Sequence, residues 1–132
     1  MNWSQNRLPG GPDKAALDSE RDPVVEADEL AFSKIRSMCA VAMTSAEGVA
    51  QPIPTDMTRL NRLRFASAKR LSLELAKTIS GASRRDAALR HIVELCMTAN
   101  DLEASRILVQ GIQSESIREE LFLAYPDLFN RA

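Results

Sequence analysis

Aromatic residues are scarce in this chain of 132 residues, at 5 %, with one tryptophan, one tyrosine and four phenylalanines. An interior poor in rings has to be filled by Leu, Ile, Val, Ala and Met, and small aliphatic interiors suit closely packed helices. Cysteine occurs twice, at Cys39 and Cys96, each inside an apolar helical run rather than in a spaced framework. Such thiols are expected to be buried and reduced, in a cytoplasmic setting. Histidine occurs once, at His91. No His or Cys pair has ligand spacing, so no metal and no cofactor is expected. There is no glycine-rich phosphate loop, no Gly-x-Ser-x-Gly elbow and no paired-carboxylate motif, which leaves no residue to nominate as catalytic. No window approaches the roughly 18 to 20 continuous apolar residues of a membrane span.

Net charge is also nearly absent, at −1. That excludes nucleic-acid binding through overall charge, but the charges are polarised along the chain. Asp56 to Arg90 holds nine Lys or Arg against three acids, whereas His91 to Ala132 holds three against seven. Arg59, Arg62, Lys69 and Arg70 lie along one long predicted helix and are the candidate partner-binding residues. They read either as an anion-binding face or as a solvated surface whose arginines pair with neighbouring acids. Only Phe65 interleaves with them, so stacking on single-stranded nucleic acid has little support.

What is present is a repetition. At an offset of 33 residues, Ser72 falls on Ser105, Leu75 on Leu108, Ile79 on Ile112, Ser83 on Ser116, Arg85 on Arg118, Asp86 on Glu119 and Leu89 on Phe122. A period in the thirties is that of stacked helical hairpins, two short helices and two turns per unit.

In chain order, residues 1–23 are polar and broken by Pro9, Gly10, Gly11, Pro12 and Pro23. They read as a flexible tail in which Trp3 is the exception: a side chain simply exposed, an anchor for a partner, or a knob that docks on the chain's own body. A first helix is predicted from Val24–Asp28 to about Met43, with Leu30, Ala31, Ile35, Met38, Cys39 and Ala42 on its apolar stripe. Thr44 to Thr55, with Gly48, Pro52 and Pro54, is predicted as a long loop. A second helix follows, capped by Thr55 or Asp56, with Met57, Leu60, Leu63 or Arg64, Ala68, Leu71, Leu75 and Ile79 at helical spacing and a bend or break near Ser67. Gly81 ends it. Ser83 with Asp86, and Ser116 with Glu119, are predicted as two capping boxes that start later helices. The helix after Ser83 runs to about Ala99, Asn100 and Asp101 punctuate, a helix from Leu102 to Val109 is closed by Gly111, and the last, from Ile117, is stopped by Pro126, with Leu128 and Phe129 folded back as a cap.

The phrase Ala-Asn-Asp-Leu-Glu-Ala-Ser-Arg-Ile-Leu at residues 99–108, followed by Ile112, a polar turn and the Ser116-x-Arg118-Glu119 helix start, resembles the second helix of tetratricopeptide-like repeats. The resemblance spans about residues 71–125. It implies a protein-interaction scaffold rather than an enzyme. The expected fold is all-α, with about five helices in an antiparallel hairpin array, a short α-solenoid over residues 24–132. The expected function is an adaptor for a protein or peptide, with a homodimer as one form of partner. A small regulator that binds nucleic acid or another anion through the Arg59–Arg90 face is the alternative.

Overall fold

A computed structural model describes residues 22–129, and these form five α-helices and a closing 3-10 turn, with no strand among them. The helices are α1 (Pro23–Val49), α2 (Thr58–Lys77), α3 (Ala82–Thr98), α4 (Leu102–Gly111) and α5 (Glu115–Ala124), followed by the turn Pro126–Leu128. The all-α expectation holds. Trp3 and nearly all of the predicted tail lie outside the described residues.

α1 starts where Asp22 accepts the Val24 amide at 2.9 Å and Pro23 takes the first helical position, where its missing N–H costs nothing. Its buried stripe is Asp28, Ala31, Ile35, Cys39, Ala42 and Ala46, spaced by three and four. The helix does not stop near Met43 as the sequence suggested. It continues to Val49, because the packing of Ser45 and Ala46 against α2 outweighs the local weakness of Gly48. Gly48 itself faces Asn61 so closely that an added Cβ would sit 2.1 Å from the Asn61 amide nitrogen. The predicted Thr44–Thr55 loop is therefore shortened to residues 50–57.

α2 runs unbroken past Ser67. Thr55 does not cap it from the expected place. Met57 precedes the helix without a side-chain cap, while the Thr55 hydroxyl accepts the Met57 amide and the Thr58 hydroxyl accepts the Thr55 amide. The proximity of Gly48 to Asn61 at one end, and of Asp28 to Ser80 and Gly81 at the other, shows that α1 and α2 run antiparallel.

The link from α3 to α4 is a tight reversal. The Asp101 amide donates to Cys96 O at 2.8 Å and the Asn100 amide to Met97 O, with Asn100 at φ 65°. That is a Schellman closure with asparagine in the left-handed position. Asp101 then caps α4 by accepting the Ala104 amide.

Neither predicted capping box forms. α3 is preceded by Gly81, without a side-chain cap, and α5 by Ser114, whose hydroxyl accepts the Ile117 amide. Asp86 turns away from Ser83 because it has better donors, the backbone amides of Gln113 at 3.1 Å and Ser114 at 2.9 Å. The offset of 33 nevertheless has a structural counterpart. Arg85 donates to Ile79 O and Arg118 to Ile112 O, Ser72 and Ser105 are both sealed from solvent, and Ile79 and Ile112 are both core residues. Asp28 holds the α2–α3 link as Asp86 holds the α4–α5 link, each through two amides.

The core has two clusters. One is built on Ile35, Phe65, Ile79, Ile92, Leu95 and Cys96, the other on Val93, Val109, Ile112, Leu121 and Leu128. Leu89 and Leu108 pack against both, so the interior is continuous. The predicted closing cap at the C-terminal end is present in part: Leu128 is buried, and Arg106 donates to the carbonyls of Asp127 and Leu128.

Candidate functional site

Hydrophobic spacing assigns more of α1 and α2 to the interior than the fold covers. Met38, Leu60, Leu63 and Leu71 follow helical periodicity, yet α3 covers the α1–α2 pair from one side only. What remains is an open groove between the two helices. Its α1 wall is Met38, Val41, Ala42 and Ser45, and its α2 wall is Met57, Leu63, Arg64, Ala68 and Leu71, with Gly48 and Asn61 closing one end. The groove has a volume of about 1070 Å³ and is overwhelmingly apolar. Val41 is 81 % exposed on it and Leu63 61 %.

Single exposed aliphatic residues are ordinary on a protein surface, whereas a contiguous apolar groove is not. Ser37, Thr44, Ser45, Asn61, Arg64 and Ser67 are the polar residues of its lining. A smaller hollow of about 260 Å³ lies between α2 and α4, lined by Leu73, Ala76, Leu89, Ile107 and Leu108 with Lys77 and Arg85.

The four predicted basic residues of α2 do not behave alike. Lys69 is engaged: its ammonium is 2.8 Å from Asp101 and 5.2 Å from the centre of the Phe65 ring, which pins α2 to the α3–α4 reversal. Arg70 faces Glu74 one turn on at 3.8 Å, an exposed pair of little energetic weight. Arg59 and Arg62 stand exposed, and among the described residues neither forms an ion pair; the same holds for Arg64, which lines the groove. The structure thus divides the set into a tethered half, Lys69 and Arg70, and an open half, Arg59 and Arg62, neither of which lines the groove.

Elsewhere the titratable groups are employed in holding the fold. Asp28 is held below the usual carboxylate range by the Ser80 and Gly81 amides, with Arg84 adding to the effect against the opposing pull of burial. Cys39 and Cys96 are free and buried. Burial pushes the Cys96 thiol up to about 12, and Cys39 also rises although its sulfur lies 3.8 Å from the Ser72 hydroxyl. His91 packs its ring 5.7 Å from Phe32 and lies 3.8 Å from Glu94. Arg85 spends its guanidinium on Ile79 O. Among the described residues no group of three or more His, Cys, Asp or Glu is placed to hold a metal ion, and no helix is long and apolar enough to cross a membrane.

Sequence reasoning nominated basic residues of α2, none of which lines the groove, and did not locate the groove. The available signal was the width of the apolar stripe: Met38 and Val41 stand beside Cys39 and Ala42 on α1, more apolar surface than one neighbouring helix can cover. No known protein family, curated protein or solved structure matches this chain.

Proposed function

We propose that this chain is a non-enzymatic protein-interaction module, an adaptor that holds a protein or peptide partner in the α1–α2 groove. The observation that carries the reading is the groove itself: an open apolar channel between two helices, with Arg64 on its α2 wall and without an ion-pair partner among the described residues. A helix or short segment with an apolar face and an acidic flank fits that surface, the face filling the channel and the flank meeting Arg64. The tetratricopeptide-like resemblance and the 33-residue recurrence support the same reading, since stacked hairpins commonly present such channels to partners.

The test is capture through the groove. A tagged wild-type chain is used as bait beside a Leu71→Asp variant whose helical content is verified by circular dichroism. A partner recovered by the wild type and lost by the variant supports the adaptor. A partner set unaffected by the substitution rejects the groove as the binding surface.

One observation favours a second reading, a small regulator that binds nucleic acid or another anionic partner: Arg59 and Arg62 are exposed cations that pair with no carboxylate among the described residues. Phosphate contacts release counterions, so binding of this kind must weaken steeply as salt rises and must fall on charge reversal of Arg59 and Arg62.

A further inference from the structure

The recurrence within the fold indicates what kind of surface the groove is. When α1 is set on α3 by matching Asp28 with Asp86, which do the same work, Ser37, Met38 and Val41 match Leu95, Cys96 and Ala99. Those three α3 residues are buried, and all belong to the core cluster that α3 forms with α1 and α2. On the partner helices the offset of 33 matches Leu71 with Ala104, which also packs on that cluster. The groove is therefore the same face that α3 and α4 bury against the preceding hairpin, left open on α1 and α2. A helical element is what this face is shaped to accept.

The opposite end of the molecule offers such an element with complementary charge. On α5, Glu115, Glu119 and Phe122 fall on one stripe at spacings of four and three. Phe122 stacks against Phe129 with ring centres 4.7 Å apart, and both rings remain more than two-fifths exposed. Glu119 is the counterpart of Asp86 at the offset of 33, and among the described residues it holds no backbone amide. Glu115 and Glu119 are exposed and form no ion pair among the described residues, and Asp127 adds an exposed carboxylate beside the rings. One end is thus an apolar channel with Arg64 on its wall and the other an acid-rimmed aromatic ridge.

We propose that the α1–α2 groove receives the Phe122–Phe129 ridge of a second copy of this chain, so that copies stack head to tail as hairpins stack within each one. The inference rests on the reading of the groove as a protein-binding surface and names its occupant. A groove-to-groove pair would bring two copies of Arg64 together, and like charges brought face to face oppose association. Head-to-tail contact is heterologous, so nothing in it stops growth at two copies unless the rotation closes a ring.

The experiment is molar mass in solution, by light scattering and sedimentation, from about 1 μM to about 1 mM, a range that reports affinities weak enough for a reversible stack. Wild type, Val41→Asp (groove) and Phe122→Asp (ridge) are compared, with circular dichroism confirming the helices and Phe129→Asp in reserve should Phe122→Asp unfold. The wild-type mass is expected to climb with concentration beyond two chains or to settle at a closed ring, and to fall as salt screens the facing charges. Each variant alone should remain at the one-chain mass, because a carboxylate placed in the apolar contact has no partner there. An equimolar mixture of the two should form a pair and stop, since one contributes its intact ridge and the other its intact groove. A wild-type chain that stays at the one-chain mass throughout overturns the stack; capture of another protein through Leu71, which would then persist, is decided separately. Association that survives Phe122→Asp, with no gain on mixing, overturns it as well and assigns a groove-to-groove pair.

Discussion

Two carboxylates determine how the links between hairpins are held. A carboxylate that accepts two backbone amides is favoured in its charged form, and at Asp28 the consequence is a folded-state pKa below the value of about 3.9 expected of an unfolded aspartate. The sign follows: the stabilisation is complete above the unfolded value and is lost as pH falls through the folded one. Asp28→Asn should therefore lower the urea midpoint at neutral pH, and the gap to wild type should narrow as pH falls below the unfolded value and the wild-type carboxylate takes up its proton. An unchanged gap across that range would assign the effect to shape alone. At Asp86, 3 % exposed, replacement by Ala strands the Gln113 and Ser114 amides and should cost about 2–4 kcal/mol. The thiols give a second check at this scale. With the Cys96 thiol near 12, its thiolate fraction at pH 8 is on the order of 10⁻⁴, so neither buried cysteine should react with a disulfide reagent in the native chain, and both should react in guanidinium. Rapid native labelling would show that the interior opens.

At the level of helices and their joints, the α3–α4 reversal depends on one left-handed residue. Asparagine tolerates that conformation better than most side chains, and glycine better still. Asn100→Gly should leave stability level or raise it by about 0.5 kcal/mol, and Asn100→Ala should lower it by about 1 kcal/mol, measured as shifts in the thermal midpoint. This joint was legible in the sequence as punctuation at Asn100 and Asp101, because the residues that permit the turn are local. The five helices were legible for a similar reason: proline, glycine and apolar spacing act over a few residues. The capping boxes were misread because Ser83 and Ser116 are local signals that compete with distant ones. Asp86 had a choice between a serine three residues back and two amides 27 and 28 residues ahead, and only the fold shows that the amides prevail. The end of α1 was misread likewise, since Gly48 looks like a stop until Asn61 is placed against it. The basic residues of α2 could be read as composition. Their division into tethered Lys69 and open Arg59 could not, because Asp101 meets Lys69 only across the bundle. The groove was invisible because periodicity reports that a face is apolar and does not report whether anything covers it.

Across the whole molecule, the interior behaves as one body if its two clusters are as continuous as Leu89 and Leu108 make them. Ile35 belongs to the first cluster and Ile112 to the second, and both are essentially sealed from solvent. Truncating either to Ala removes buried methyl groups and leaves a cavity, a loss of about 2–5 kcal/mol. In a single cooperative structure both substitutions shift the same urea transition, with circular dichroism and amide exchange of α1 and α5 moving together. Were the α4–α5 end a separate unit, Ile112→Ala would split the transition and leave α1 protected. Val41 supplies the control, because its side chain is already in water: Val41→Ser should change stability by no more than about 0.5 kcal/mol. A large loss at Val41 in dilute solution would mean that the groove is filled even when the chain is alone. The contrast between a costly Ile112 and an inexpensive Val41 thus separates the residues that build the stack from those left free to extend it.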